Sequence, residues 1–369
     1  MRSLCWFCAV CFVASLPRAG DAQTTQPSLN VIVYKEPGQF GGWPANHGIW
    51  IWGNEIVVGH RVATFKVARR GHAVDPSRPQ YDWQARSLDG GMTWRPEKPL
   101  ALARVKDGGP PIKELASPID FTQPDFAFMC RYSKDDPASR FYSSNDRAKT
   151  WKGPYRLPTF GQPRIMARTD CLVSGPHDAT LVLTAAKRDG EEGRVFTART
   201  TDGGMSWRFV SWIGPEPTGF SIMPSSVRLS ESKLLTTIRR EEGDAHWVDA
   251  YLSTDNGSTW SFWNKPVPST GGMVGNPPHL IRLRDGRLAI TYGYRSPPYG
   301  IRARLSADDG RTWSREIVLR NDAGCWDLGY PRSVQRPDGR IVTAYYFNDD
   351  PKTERYIAAT IWTPGFPGE

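Results

Sequence analysis

The stretch SLDGGMTW, residues 87–94, is the first complete copy of a pattern that recurs along this chain. The pattern reads Ser/Thr-x-Asp-x-Gly-x-Thr/Ser-Trp. Its Asp can accept hydrogen bonds from the backbone of its own turn, its Gly permits the positive φ that closes the turn, and its Trp can bury a large apolar face. Further copies follow at 200–207, 253–260 and 306–313, and a copy at 144–151 has Ala148 in place of Gly.

The spacing of these five copies, which we call boxes, indicates the architecture. Their tryptophans lie 57, 56, 53 and 53 residues apart, a period typical of four-stranded propeller blades. Apolar segment pairs joined by tight turns precede the boxes, as in HLIRLRDGRLAITYGYR at 279–295. Residues 332–362 form a sixth unit without a box, and LNVIVYKEP at 29–37 is expected to supply its outer strand. We therefore predict an all-β fold, a six-bladed β-propeller with four-stranded antiparallel blades.

The N-terminal residues have the layout of an export signal. Arg2 is followed by an apolar run of 13 residues, 4–16, and then by small residues around Gly20 and Ala22. A run of this length is too short for a bilayer core, which needs roughly 20 residues. We predict that residues 1–22 are a cleaved signal peptide and that residues 23–369 form a single propeller domain. The mature protein is expected to be a secreted or periplasmic monomer without a membrane span.

Charge and cysteine content narrow the choice of partner. The chain has a net charge of +9, and removal of residues 1–22 leaves +8. A basic exported protein suits an anionic partner, and an acidic glycan is the simplest one. Nucleic acid is disfavoured because the chain has no run of clustered Lys or Arg and no recognition motif. The remaining cysteines, Cys130, Cys171 and Cys325, have no metal-ligand spacing, so neither a metal nor a cofactor is implied.

We expect the boxes to be structural turns and the functional site to lie on the opposite face. If each box joins the third and fourth strands, the loops between the second and third strands open on that opposite face. Five blades place basic residues there: His60 and Arg61, Arg131, Lys187 and Arg188, Arg239 and Arg240, and Arg295. The segments leading into the first strands add His47, Asp125, Asp170, Asn276, His279, Asp327, Tyr330 and Arg332. Converging arginines would bind a carboxylate well, because guanidinium offers bidentate donors.

The boxes and strand pairs resemble those of the sialidase (neuraminidase) superfamily over essentially the whole mature chain. The resemblance implies a tyrosine nucleophile paired with a glutamate, an aspartate acid/base and three arginines that hold the sugar carboxylate. In GYPRSVQRPDGR, residues 329–340, Tyr330 matches the nucleophile. The remaining matches are Arg239 or Arg240 for the second arginine, Arg295 more loosely for the third, and Asp75 or, less well, Asp82 for the acid/base.

The chain departs from the family pattern at two positions. Where the family has Arg-Ile-Pro in the first blade, GGWPANHG at residues 41–48 has no arginine and places His47 nearby. The glutamate that partners the tyrosine corresponds to Met223, at the start of MPSSVRL. Without that carboxylate, Tyr330 would need another base.

Exo-hydrolysis of a terminal acidic sugar, sialic acid or a related one, is the leading functional hypothesis. Tyr330, Asp75 and His47 are the candidate catalytic residues. The candidate substrate-binding residues are Arg61, Arg131, Arg188, Arg239, Arg240, Arg295 and Arg332. One alternative is a uronate-directed polysaccharide lyase, in which His47, His60 or Tyr330 removes a proton beside an Arg-neutralised carboxylate. A second alternative is a non-catalytic propeller that binds acidic glycans.

Overall fold

The computed structural model describes residues 28–68, 71–102, 110–132, 136–272 and 274–365. Within these ranges the chain forms 24 β-strands and two 3₁₀ helices, Pro44–Asn46 and Leu100–Leu102. No helix in this part of the chain is long and apolar enough to cross a membrane. The predicted signal peptide, residues 1–22, lies outside the described residues.

The first three blades follow one another along the chain. Strand β1 (Ser28–Tyr34) precedes them. Blade 1 contains β2 (Gln39–Gly42), β3 (Ile49–Trp52), β4 (Glu55–Thr64), β5 (Tyr81–Ser87) and β6 (Arg95–Glu97). Blade 2 contains β7 (Ala127–Arg131), β8 (Arg140–Ser144) and β9 (Lys152–Arg156). Blade 3 contains β10 (Cys171–Gly175), β11 (Asp178–Ala186), β12 (Glu192–Thr200) and β13 (Arg208–Trp212). In blade 1 the innermost strand is split into β2 and β3, both paired with β4.

The last three blades repeat the same antiparallel order. Blade 4 contains β14 (Phe220–Arg228), β15 (Leu234–Glu242), β16 (Ala245–Ser253) and β17 (Ser261–Val267). Blade 5 contains β18 (His279–Arg282), β19 (Leu288–Tyr294), β20 (Gly300–Ser306) and β21 (Ile317–Arg320). Blade 6 contains β22 (Gly329–Gln335), β23 (Ile341–Phe347) and β24 (Tyr356–Trp362). Strand β1 pairs with β24 and closes the ring as the outer strand of blade 6. The predicted six-bladed propeller is confirmed.

Each second strand is covered on both sides by neighbouring blades, which explains its continuous apolar sequence. Every residue of β23 is buried. One apolar cluster joins blade 6 to blade 1 by packing Val342 and Ala344 of β23 against Ile56 and Val58 of β4. Because these strands are enclosed along their length, their ends are held firmly on the face opposite the boxes.

Each box is the turn between the last two strands of its blade. In the first box, Ser87 Oγ donates to Asp89 Oδ1 at 2.8 Å and accepts from Gly91 N at 2.7 Å. Thr93 N donates to the same carboxylate at 2.9 Å. The network repeats in the other four boxes. Ala148 takes a φ of 61° where the other boxes have glycine, a conformation that costs a residue with a Cβ about 1 kcal/mol.

The buried hydroxyl of the fourth box is expected to contribute measurably to stability. Ser253 Oγ accepts from Gly257 N at 2.8 Å, so Ser253→Ala leaves a buried N–H without an acceptor. We expect urea denaturation to show a loss of about 1–3 kcal/mol in unfolding free energy, with no change in turnover per folded molecule. The control Ser258→Ala, at an exposed position of the same box, should change stability by less than about 0.5 kcal/mol. Wild-type stability of Ser253→Ala would contradict this role.

Candidate active site

A turn at residues 43–47 stands between two groups of polar side chains on the face opposite the boxes. Trp43 starts it with a left-handed φ of 58°. The Trp43 ring lies 5.0 Å from that of His72, measured between centroids. At the other end, His47 Nε2 lies 3.0 Å from Asp82 Oδ1. The turn that replaces the family's first-blade arginine therefore touches both polar groups.

The first of these, the Asp82 group, consists of Asp82, His47, Arg61 and Arg131. The carboxylate of Asp82 is contacted by His47 Nε2 at 3.0 Å, Arg61 Nε at 2.8 Å and Arg131 Nη2 at 2.9 Å. Burial opposes ionisation, but the charges of Arg131 and Arg61 bring the pKa of Asp82 well below its usual range. Asp82 is therefore ionised at neutral pH and lacks the proton that a general acid must donate.

Two histidines proposed from the sequence are closed off from solvent. His47 and His60 are both 0% exposed. Burial lowers the pKa of His47 to about 4, helped by the charge of Arg131, and that of His60 to about 3. Both rings are therefore neutral at pH 7. The structure places neither of them where a substrate could reach the ring nitrogens.

The second, the tyrosine group, is centred on Tyr330 at the start of β22. Arg239 Nη1 donates to the Tyr330 phenol oxygen at 3.3 Å. The same nitrogen lies 3.8 Å from the sulfur of Met223, so a thioether occupies the place of the family's carboxylate. Tyr330 and Met223 both have a φ of 53°, and such strain is commonly held at functional sites. The structure thus brings together Tyr330 and Arg239, two of the residues proposed from the sequence, with no carboxylate at Met223.

A histidine–aspartate pair completes the tyrosine group. His72 Nδ1 lies 2.6 Å from Asp327 Oδ1. Asp327 is 1% exposed and also accepts from Ala73 N at 3.1 Å, Tyr346 Oη at 2.9 Å and Arg355 Nε at 3.0 Å. Burial opposes ionisation, but the hydrogen bond from His72 and the nearby cations lower the pKa of Asp327 overall. The carboxylate can therefore only accept, and His72 Nδ1 carries the proton of this bond.

His72 was not among the residues proposed from the sequence. It lies on the loop between β4 and β5, on the predicted face, but a single histidine in a polar loop carries no motif. In the structure its side chain is 28% exposed. Its ring is surrounded by aromatic rings at centroid distances of 5.0 to 6.4 Å, namely those of Trp43, Trp326, Tyr330 and Tyr346. Aromatic faces of this kind suit the apolar faces of a sugar ring.

Arg295 lies beside the tyrosine group, but its own neighbours use all of its N–H groups. Nε and Nη2 donate to Leu328 O at 3.2 and 2.8 Å, and Nη1 donates to Val274 O at 3.2 Å and Gly275 O at 2.8 Å. Nη2 also donates to Tyr346 Oη at 2.7 Å. A guanidinium has five N–H donors, and all five are engaged here. Arg295 therefore holds the walls of the site together and has no donor left for a ligand.

Arg295→Lys is expected to destabilise the protein. Lysine has three donors in place of five, so at least two of the five hydrogen bonds that Arg295 donates are lost. We expect a loss of about 2–4 kcal/mol in unfolding free energy. The same substitution at Arg188, which is exposed, should cost less than about 0.5 kcal/mol. Equal stabilities of the two variants in chemical denaturation would show that the buried network contributes nothing.

The other predicted arginines are distributed over the face. Arg332 is buried and donates to Ala45 O at 2.7 Å and Thr169 O at 2.8 Å, and burial lowers the pKa of Arg332 to about 10. Arg240 follows Arg239 in β15 and therefore points to the other face of the strand, where its Nη1 lies 3.2 Å from Asp249. Within the described part of the chain, Arg239 is the only one of the seven candidate substrate-binding arginines that hydrogen-bonds to Tyr330.

Asp75, the predicted acid/base, is held within its own loop. Its Oδ1 accepts from Ser77 N at 3.0 Å and Ser77 Oγ at 2.7 Å. These hydrogen bonds from Ser77 lower the pKa of Asp75, which opposes service as a proton donor at neutral pH. Within the described part of the chain, the recorded partners of its side chain are Ser77 and Lys66. The structure does not bring Asp75 into contact with the tyrosine group.

Six blades, five box turns on one face and a polar centre on the other define a propeller of the Asp-box type. The family model described as a BNR repeat-like domain matches residues 83–343, and the chain belongs to this family. No curated protein sequence matches the chain.

Solved structures share the fold at low sequence identity. A Dyadobacter fermentans protein of unknown function is 23% identical, with a TM-score of 0.70 over 91% of this chain and 98% of the other. The α-L-arabinofuranosidase Arb93A from Fusarium graminearum is 12% identical, with a TM-score of 0.61 over 92% and 98%. The NanB sialidase from Streptococcus pneumoniae is 12% identical, with a TM-score of 0.59 over 90% and 70%. These similarities show that the proteins share a fold.

Proposed function

We propose that the protein is an exo-acting glycosidase that releases a terminal acidic sugar, sialic acid or a related one. The observation that supports this most directly is the contact between Arg239 Nη1 and the Tyr330 phenol oxygen, at 3.3 Å. A sugar with a carboxylate close to its anomeric carbon needs a cation next to the group that faces that carbon. A neutral phenol suits this position, because it does not repel an anionic substrate.

Arg239 is the candidate for holding the sugar carboxylate. Its Nε has no hydrogen-bond partner among the described residues, and the Glu241 carboxylate lies 3.9 Å from its Nη2, so the protein leaves the donors of this guanidinium partly unsatisfied. Its Nη2 donates to Val274 O at 2.6 Å, and a carboxylate that bound in bidentate fashion would compete with this carbonyl. Tyr330 would then stabilise or attack the anomeric carbon.

The fold relatives support glycoside hydrolysis as the class of reaction. Two of the solved structures are named an α-L-arabinofuranosidase and a sialidase, so this propeller carries glycosidases for different sugars. The net charge of +9 favours an acidic sugar for this chain.

A panel of fluorogenic glycosides tests the proposal. We expect wild-type protein to hydrolyse a sialoside or a uronide and to leave a neutral α-L-arabinofuranoside intact. Arg239→Lys should lower kcat/KM on the acidic glycoside by about 10²-fold, because a point cation replaces a bidentate one. The control Arg240→Lys, on the other face of the same strand, should change it less than about threefold. Hydrolysis of the neutral glycoside alone would contradict an acidic substrate.

A uronate-directed lyase is the second candidate. Elimination needs a base next to a neutralised carboxylate, and His72 lies beside Tyr330, with a ring-centroid distance of 6.4 Å. Lysis leaves an unsaturated uronate that absorbs in the ultraviolet, whereas hydrolysis does not. An absorbing product from an acidic polysaccharide would favour the lyase, and binding without any product would favour a glycan-binding propeller.

We also propose that residues 1–22 are removed on export and that residues 23–369 act as a secreted or periplasmic monomer. The measured mass and sedimentation of the exported protein test both points. A mature start near Gln23 and a monomeric mass are expected. A retained N-terminus or a stable oligomer would contradict them.

A further inference from the structure

His72 is the one histidine of the tyrosine group, and the glycosidase proposed above leaves its chemistry unused. Its Nδ1 is bound to Asp327 at 2.6 Å. Its Nε2 forms no hydrogen bond among the described residues, and the side chain is 28% exposed. An imidazole whose Nδ1–H is held by a buried carboxylate presents Nε2 for proton exchange.

The carboxylates suggested from the sequence are less suited to this task. A general acid must hold a proton at the working pH and must reach the departing oxygen. Burial raises the pKa of Asp82, but the charges of Arg131 and Arg61 outweigh this effect and hold the pKa well below its usual range. The Asp82 carboxylate is also bound to three donors. Asp75 is bound by Ser77 within its loop. His72, in contrast, packs its ring against that of Tyr330, with the two centroids 6.4 Å apart.

We propose that His72 Nε2 is the general acid and base of the glycosidase, an assignment that rests on the proposed function. In the first step, the bond between the anomeric carbon and the glycosidic oxygen breaks. Its electron pair goes to that oxygen, which takes the proton from Nε2 of the doubly protonated ring, while the Tyr330 oxygen stabilises the positive charge on carbon. In the second step, water bonds to the anomeric carbon and returns a proton to Nε2. The balance is one water consumed per bond cleaved.

Asp327 acts in this scheme as a positioning residue. Its Oδ1 accepts from both His72 Nδ1 and Tyr346 Oη, at 2.6 and 2.9 Å, and its Oδ2 accepts from Arg355 Nε at 3.0 Å. These bonds fix the carboxylate, so the imidazole is held in one orientation with Nε2 turned away from Asp327. A buried partner of this kind selects the tautomer of a catalytic histidine.

The test compares two acidic-sugar substrates that differ in leaving group. An aryl glycoside leaves as a stabilised phenolate and needs little protonation, whereas a sugar-linked glycoside leaves as a strongly basic alkoxide. We expect His72→Asn to lower kcat/KM on the sugar-linked substrate by about 10²–10⁴-fold and on the aryl glycoside by less than about tenfold. Asp327→Asn should show the same contrast with smaller losses. The control His177→Asn, whose ring bonds to Ile119 O, should leave both values within about twofold.

The contrast between substrates separates chemistry from folding. A variant that folds poorly loses activity on both substrates in equal proportion, so equal losses, or no loss, would overturn the assignment of His72. If wild-type protein hydrolyses neither substrate, the proposed function fails and the assignment fails with it. Turnover by the wild type combined with equal losses in His72→Asn overturns the assignment alone.

Discussion

Tyr330→Phe is expected to lower kcat/KM on an acidic-sugar glycoside by at least about 10²–10³-fold, the loss typical of removing one group that stabilises transition-state charge. The substitution removes a single oxygen, the one to which Arg239 Nη1 donates at 3.3 Å, and keeps the ring that packs in the buried cluster with Met223. Steady-state kinetics gives kcat/KM, and thermal melting of the same preparation gives the stability of the variant. The melting midpoint should stay within a few degrees of the wild-type value.

A second tyrosine of blade 6 provides the matched control. Tyr345 is fully buried, and its hydroxyl lies 2.6 Å from Thr360 Oγ1, on the other face of β23 from Tyr346. Tyr345→Phe should lower the unfolding free energy by about 1 kcal/mol and leave kcat/KM unchanged. If Tyr330→Phe kept more than about a third of wild-type activity, Tyr330 would have no direct role in the reaction.

Asp327→Ala is expected to have the largest effect on stability. The variant removes the acceptor of four donors, and it leaves the guanidinium of Arg355, itself 5% exposed, without its carboxylate partner at 3.0 Å. Breaking a buried ion pair by removing one partner costs about 3–5 kcal/mol, and we expect a loss of this size in unfolding free energy. Urea denaturation followed by tryptophan fluorescence measures it.

The matched control for Asp327 is an aspartate whose own side chain is exposed. Asp322 lies 2.7 Å from Arg320, and its side chain is 59% exposed. Asp322→Ala should cost no more than about 1 kcal/mol, as is usual for ion pairs on the surface. Similar losses in the two variants would mean that the buried network around Asp327 contributes little to the fold.

The architecture could be predicted from the sequence because its signals are local. Every box bonds within eight residues, as in the contacts between Ser87, Asp89 and Gly91, so each copy can be identified without knowledge of the rest. The nearly constant spacing of 53 to 57 residues then indicates the number of blades. The pairing of β1 with blade 6 could be predicted by counting strands, because the sixth unit lacked an outer strand and the N-terminal segment could supply one.

The site could be predicted only in part, because its contacts join distant parts of the chain. Tyr330 and Arg239 stand at the expected strand positions, and 91 residues separate them. The partnership of His72 with Asp327 spans 255 residues and leaves no mark on the local sequence. Whether a strand-end arginine faces the site or its own backbone also depends on packing. For this reason Arg295, which matched the family pattern, has all of its donors bound to carbonyl groups and to the Tyr346 hydroxyl.

The sequence also did not indicate which histidines are exposed to solvent. His60 lies within β4, where its ring centroid is 5.1 Å from that of Tyr34, and His47 ends the turn at residues 43–47. Both side chains are fully buried. Of the three histidines His47, His60 and His72, only His72, which lies on a loop, has a partly exposed side chain. Strand position thus indicated the correct face, while burial decided which side chains could act there.

The central claim is that an acidic sugar binds at the tyrosine group, on the face opposite the boxes. The most direct measurement is a crystal structure of Tyr330→Phe in complex with the acidic sugar that wild-type protein releases. We expect the sugar carboxylate within hydrogen-bond distance of Arg239 and the anomeric carbon facing the ring at position 330, with His72 Nε2 on the side of the leaving oxygen. A sugar bound elsewhere on the propeller, or bound here with its carboxylate turned away from Arg239, would contradict the account.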